Sequence, residues 1–209
     1  IWGMAPGEAD GPYTLFGVFE FQGRHRNQKM AINLDEVAAR SRSWRDKPAE
    51  APAAWLLWDF WKQKLHTVDG ATLTIPVPAK SCSVFALRPK TGRPQLLGTS
   101  GHFSQGVLET RDVRWNDRHR RLTGKARGNG GDPTTLFFYL PEGMQCTFAS
   151  VDYEAAEPDT VEPHVVAIPV PKTGTETVHF ELRFTGKAAK PDTREFVSGP
   201  VARILPETQ

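Results

Sequence analysis

Cysteine is scarce in this sequence, with Cys82 and Cys146 as the only two among 209 residues. Two thiols without the close spacing of metal ligands give no signal for a zinc site. Each lies within an apolar alternation, which predicts a buried free thiol at each position. A disulfide between the two cysteines is compatible with the sequence but is not implied by it.

The sequence also lacks an excess of one charge. Its 26 lysines and arginines are nearly balanced by 24 acidic residues, which leaves a net charge of +2. Nucleic-acid-binding domains usually show a strong basic excess, so no nucleic-acid partner is expected. The one basic cluster, Arg111 to Arg127, is interrupted by Asp112 and Asp117 and is interpreted as a solvated face or a hairpin tip.

No apolar run approaches the length needed to cross a bilayer, so no membrane partner is expected. The sequence shows no signal peptide and no initiating methionine, because it opens with Ile1-Trp2-Gly3. This opening predicts a processed product or a piece cut from a longer polypeptide.

A long helical period of apolar residues is absent as well, which predicts low helix content. Proline and glycine together make about a sixth of the chain, a composition that suits many short strands joined by turns. The predicted fold class is all-β, with two antiparallel β-sandwich-like modules. The first module ends and the second begins within the segment Ser81 to Gly106, because Pro89 to Pro94 interrupts regular strand pairing. The predicted modules are residues 1–93 and 94–209.

Strand-like alternation recurs along both modules. Ala54–Lys62 is apolar on both faces, which predicts a strand that is central or covered on both sides. Pro76 and Pro78 place the strand Thr72–Val77 at a sheet edge. A helical turn is predicted at Asp35–Arg40, and Glu195–Val197 with the last residues is expected to add one short strand. The other predicted strands are Tyr13–Phe21, Lys29–Leu34, Ser81–Leu87, Val107–Trp115, Arg120–Ala126, Thr134–Leu140, Cys146–Asp152, His164–Val170 and Thr177–Phe184.

Five short sequence segments occur in a characteristic order: YTLFGVF from Tyr13, WLLWDFW from Trp55, TLTIPVPAKSC from Thr72, VFALRP from Val84 and QLLGTSGHFSQG from Gln95. Over residues 13–150 this order resembles the region that follows the catalytic barrel in melibiase-like (α-galactosidase-like) glycoside hydrolases. The resemblance implies a post-barrel β-sandwich followed by an extra β module that some bacterial members carry. It brings no catalytic residue, because the family's carboxylates lie in the barrel and no position here matches them. The chain is also too short for a barrel.

Aromatic residues are the candidate carbohydrate-binding groups. The flat faces of Trp55, Trp58 and Trp61 suit a pyranose ring, and Asp59 among them would hold hydroxyl groups. Core packing is the simpler interpretation of these tryptophans, and a hydrogen-bond acceptor is the simpler role for Asp59. Three further tryptophans, on loops or at a hairpin end, are better placed for exposure: Trp2, Trp44 and Trp115.

Catalytic and cofactor motifs are not found. Glycoside hydrolysis requires two carboxyl groups, and Asp59 is the one acid set among large aromatics. The six histidines show no ligand spacing, no serine lies in a nucleophile elbow, and Gly128–Gly131 lacks the lysine of a phosphate loop. No metal and no cofactor are therefore expected.

These observations lead to a non-catalytic accessory region of a carbohydrate-active enzyme. Its expected partners are an upstream catalytic barrel, on which it would pack, and a glycan, which it would bind weakly. The alternative is a stand-alone β-sandwich module for binding or adhesion to a glycan or a protein. A small hydrolase built on Asp59 is the third hypothesis.

Overall fold

The structure, a computed structural model, describes residues 2–4, 12–21, 29–41, 50–101, 105–106, 109–127, 133–171 and 176–205. Within these ranges the chain is almost entirely β, and every strand pair is antiparallel. The predicted all-β class is confirmed. No helix among the described residues is long and apolar enough to cross a membrane.

The chain divides into two compact units. Unit 1 comprises residues 1–5, 12–90 and 192–209, and unit 2 comprises residues 6–11 and 91–191. The elements of unit 1 are β1 (Trp2–Met4), β2 (Thr14–Glu20), β3 (Lys29–Asn33), α1 (Leu34–Ala39), β4 (Glu50–Pro52), β5 (Ala54–Asp59), β6 (Lys64–Asp69), β7 (Thr72–Pro76), β8 (Ser81–Pro89), β18 (Thr193–Glu195) and β19 (Ala202–Leu205). Those of unit 2 are β9 (Gln95–Thr99), β10 (Thr110–Asn116), β11 (Arg121–Arg127), β12 (Thr134–Tyr139), β13 (Gln145–Val151), β14 (Glu154–Ala156), β15 (Asp159–Glu162), β16 (Val165–Val170) and β17 (Thr177–Thr185).

Unit 1 buries its core between a five-stranded sheet, β1-β2-β8-β5-β6, and a three-stranded sheet, β19-β3-β7. Phe16, Trp55 and Leu87 of the larger sheet share this core with Ile32 and Ile75 of the smaller one. The strand β5 lies between two neighbours and is buried along its whole length. The strand β7 lies at a sheet edge. Both placements agree with the expectations from the sequence.

The C-terminal segment differs from the prediction, which assigned residues 94–209 to the second module. Residues 192–209 belong to unit 1. There β18 pairs with β4 and β19 pairs with β3, so the segment forms two short strands where one was expected. Alternation along a strand shows which side chains are buried, but it does not identify the strand's partner.

Unit 2 is a sandwich of the sheets β10-β11-β17-β13-β14 and β15-β16-β12-β9. Its core joins inward side chains of the two sheets, including Leu122, Phe180 and Leu182 of the first and Phe138 and Ile168 of the second. The first sheet, called the outer sheet below, carries its polar side chains on the face turned away from this core.

The two cysteines are free thiols, but the prediction that both are buried is wrong for Cys82. Cys82 is exposed because it lies opposite exposed Phe19, ahead of the buried part of β8. Cys146 is half-buried, and its thiol donates to the carbonyl oxygen of Phe148 at 3.4 Å. Burial raises the pKa of the Cys146 thiol, and the Phe148 contact opposes that shift.

Alkylation should therefore distinguish the two thiols. Since the thiolate is the reacting species, we expect iodoacetamide at pH 8 to modify Cys82 at least about tenfold faster than Cys146. Mass spectrometry of the digested protein over a time course measures both rates. Urea-unfolded protein is the control, in which the two rates should converge. Equal rates in the native protein would contradict the difference in burial.

Candidate functional site

The structure places two of the predicted sugar-stacking tryptophans in the interior. Trp55 and Trp58 are 1% and 0% exposed, respectively. Trp55 belongs to the core of unit 1, and its indole nitrogen donates to Asp35 Oδ1 at 3.1 Å. Neither ring has a face open to a sugar in the folded chain.

Asp59 is buried at the end of β5 and serves the turn that follows. Its Oδ1 accepts a hydrogen bond from the backbone nitrogen of Lys62 at 3.1 Å, and its Oδ2 lies 3.3 Å from Lys62 Nζ. The carboxylate thereby stabilises the β5–β6 hairpin. This agrees with the simpler role expected for Asp59, that of a hydrogen-bond acceptor.

The remaining predicted residues are not brought together. Trp61, at the β5–β6 turn, is exposed and packs edge-on against Phe60. Trp115 of unit 2 is half-buried against Phe184, and its indole nitrogen donates to Asp117. Trp44 and the side chain of Trp2 lie outside the described residues.

A different surface, on unit 2, has the form of a binding site. It is an open groove of about 460 Å³ that crosses the outer sheet from β10 to β13. We call it the outer-sheet groove and define it by its side chains: Asp112, Arg114, Thr123, Lys125, Ser150, Tyr153, His179 and Glu181.

Strand alternation explains why these side chains share one face. On β17, Phe180 and Leu182 point into the core, so His179 and Glu181 point outward. Residues paired directly across strands lie on the same face. Lys125 pairs with His179, and Thr123 pairs with Glu181. Two cross-strand rows therefore form the floor of the groove.

Tyr153 stands at the end of the groove on a tight turn. Val151 pairs with Glu154, and the two residues between them have positive φ, +50° at Asp152 and +68° at Tyr153. This is the backbone of a two-residue type I′ hairpin, a turn that usually contains asparagine or glycine. Tyrosine is rare there, and this one is 85% exposed with its ring centroid 6.0 Å from that of His179. An uncommon backbone conformation thus presents an aromatic ring to solvent.

A β-bulge shapes the opposite end. The register of β10 against β11 shifts between Arg111 and Arg114, and Asp112 within the shift has a φ of +56°. Lys125 Nζ donates to Asp112 Oδ2 at 2.8 Å. This hydrogen bond, together with the charge of Lys125, lowers the pKa of Asp112. The pair therefore persists below the pH at which an ordinary aspartate becomes protonated.

Glu181 is held from two sides at the centre of the groove. Its Oε2 accepts from Arg121 Nη1 at 3.2 Å, and its Oε1 accepts from Arg183 Nε at 2.6 Å. The Arg183 guanidinium also lies 4.8 Å from the ring centroid of Phe148. These contacts fix the carboxylate in place, and a fixed acceptor suits recognition of a ligand hydroxyl.

Tryptophan positions and catalytic motifs do not predict this groove, because its lining contains neither. Alternation in Thr177–Phe184 identified the inward residues Val178, Phe180, Leu182 and Phe184. The same alternation also determines the outward residues His179, Glu181 and Arg183. Tyr153 gave no signal, since Asp-Tyr is not a typical hairpin turn pair.

The search of protein-family models found no match to this chain. The search of curated proteins found no match either. Within the described ranges, no group of three or more histidine, cysteine, aspartate or glutamate side chains is arranged to hold a metal ion.

Proposed function

We propose that this chain is a non-catalytic β-sandwich region that binds a glycan in the outer-sheet groove. The observation that carries the proposal is the exposed ring of Tyr153, beside His179, at one end of a groove with a polar floor. Small-molecule sites combine aromatic surface with a few placed polar groups, and this groove offers both.

The chemistry of a sugar matches this arrangement. The apolar face of a pyranose suits the flat ring of Tyr153, while its hydroxyl groups both donate and accept hydrogen bonds. Glu181 and Asp112 accept, Arg114 and Lys125 donate, and Thr123 and Ser150 do both. The groove is open, which suits an exchangeable oligosaccharide.

Glycan binding in the groove is compatible with both hypotheses, an accessory region of a carbohydrate-active enzyme and a stand-alone binding module. The two differ in whether a catalytic domain is attached. Packing on a catalytic barrel stays a prediction from the resemblance to melibiase-like enzymes. The absence of catalysis is likewise proposed, and turnover of aryl galactosides by the purified chain would overturn it.

Tyr153→Ala is the first test. A glycan array identifies a ligand, and isothermal titration calorimetry of that ligand compares the variant with the wild type. We expect at least about tenfold weaker binding, because an aromatic anchor typically contributes more than about 1 kcal/mol. The stability of unit 2 should be unchanged, since alanine at positive φ replaces a tyrosine that is equally strained.

Trp61→Ala is the matched control, because it removes another exposed aromatic at a hairpin turn in unit 1. It should leave the affinity within about twofold. A loss of affinity in Trp61→Ala but not in Tyr153→Ala would indicate that the glycan binds to unit 1. No binding to any glycan would refute the proposal.

A further inference from the structure

The outward face of the outer sheet is strongly basic, although the whole chain is nearly neutral. Strands β10, β11 and β17 carry six cations on or beside this face and two anions. These three strands hold a net charge of +4, while the net charge of the whole chain is +2. The six cations are Arg111, Arg114, Arg121, Lys125, Arg127 and Arg183, and the two anions are Asp112 and Glu181.

The two anions are already paired. Asp112 accepts from Lys125 at 2.8 Å, and each oxygen of Glu181 accepts from an arginine, Arg121 or Arg183. The carboxylates of the groove are therefore neutralised by cations of the same face. They are not available to balance a further positive charge.

Arg114 is the cation of the groove that forms no ion pair with Asp112 or Glu181. It pairs with Thr123 across β10 and β11, in the row that leads to Glu181 and Ser150. It is exposed, and its charge acts on Asp112. Its guanidinium makes no hydrogen bond or ion pair with any residue that the structure describes. A planar guanidinium matches a carboxylate or sulfate with two parallel hydrogen bonds.

We infer that the outer-sheet groove takes an anionic glycan, whose carboxylate or sulfate binds Arg114 while a sugar ring contacts Tyr153. This inference rests on the proposed glycan-binding function and adds the ligand's charge. From β10 to β13 the groove crosses three strand spacings, or about 14 Å at about 4.8 Å each. The ligand is thus an oligosaccharide, with its acidic group at the β10 end.

A single unpaired arginine beside an exposed phenol favours an acidic sugar over nucleic acid. Nucleic-acid surfaces neutralise many phosphates with many cations. Here three of the six cations of the face, Arg121, Lys125 and Arg183, are engaged by Asp112 and Glu181. Among the side chains that define the groove, Arg114 is then the cation open to a ligand anion.

The test uses the whole chain and two pairs of probes. Tetragalacturonic acid is compared with its methyl ester, which keeps the sugar backbone and removes the charge. A sulfated carrageenan tetrasaccharide is compared with its desulfated form. We expect Arg114→Gln to weaken binding of one acidic probe at least tenfold, with affinity for its uncharged partner unchanged. The responding pair identifies the group as carboxylate or sulfate.

Arg118→Gln is the matched control, because it removes the same charge from an exposed position in the β10–β11 turn. It should change affinity less than twofold. Equal affinity for charged and uncharged probes would overturn the inference while leaving the glycan-binding proposal standing. Failure of all four probes and of the glycan array would overturn both. Equal losses from Arg114→Gln and Arg118→Gln, with tighter binding of a 12-base-pair DNA duplex, would overturn the inference in favour of a general polyanion surface.

Discussion

Replacing Arg194 with methionine should destabilise unit 1 by about 3 to 5 kcal/mol, the usual effect of removing one partner from a buried ion pair. Arg194 Nη1 and Nη2 bind the two oxygens of Asp35 at 2.7 and 2.6 Å. Asp35 is fully buried, and its carboxylate also accepts from Trp55 Nε1 and the backbone nitrogen of Val197. Without Arg194 the negative charge stays in the interior without a cation.

Urea denaturation followed by tryptophan fluorescence measures this loss, since Trp55 is itself bonded to Asp35. Arg203→Met is the control, because Arg203 is an exposed arginine in the same C-terminal segment, on β19. It should change the free energy of unfolding by less than about 0.5 kcal/mol. Equal effects of the two substitutions would show that the Asp35–Arg194 pair does not stabilise the unit.

A double-mutant cycle separates the pair from the rest of the site. Asp35→Asn removes the buried charge, so Arg194→Met should cost less in that background. We expect a coupling energy of at least about 1 kcal/mol. Additive losses would mean that Arg194 acts through packing alone.

Gly186→Ala is the second large effect, with an expected loss of about 2 to 5 kcal/mol in unit 2. Gly186 follows β17 with a φ of +97°, and a Cβ there would lie 2.1 Å from the carbonyl oxygen of Gly143 and 2.9 Å from the Cα of Met144. Both neighbours are backbone atoms, so the chain itself must shift. Backbone strain and steric overlap therefore act together.

Gly143→Ala is the control for strain alone. Gly143 has a φ of +76°, but a Cβ there would meet nothing within 4 Å. Its loss should be about 1 to 2 kcal/mol. Hydrogen exchange measured by mass spectrometry on peptides from β13 and β17 reports the stability of unit 2. Equal losses for the two variants would contradict the overlap at Gly186.

Alternation predicted many of the longer strands and their buried faces, because a strand buries every second side chain whatever its neighbours are. It did not predict β4, β6, β14 or β15, which lack a clear apolar alternation. Ala54–Asp59 is an example, since apolar residues at consecutive positions required cover on both faces. The buried positions of Thr177–Thr185 could be predicted for the same reason. The proposed binding groups could not, because Tyr153, His179 and Arg114 lie far apart in the sequence.

The sequence by itself determined the all-β class and the break within Pro89–Pro94, since these follow from local periodicity and proline. It favoured core packing of Trp55 and Trp58 but left sugar stacking open. Only the tertiary structure decided that residues 192–205 complete unit 1 through Arg194 and Asp35. It alone also decided that groups from four strands and one turn form the outer-sheet groove. The physical reason is that strand partners and ion pairs depend on which distant segments meet, and a local pattern does not contain that information.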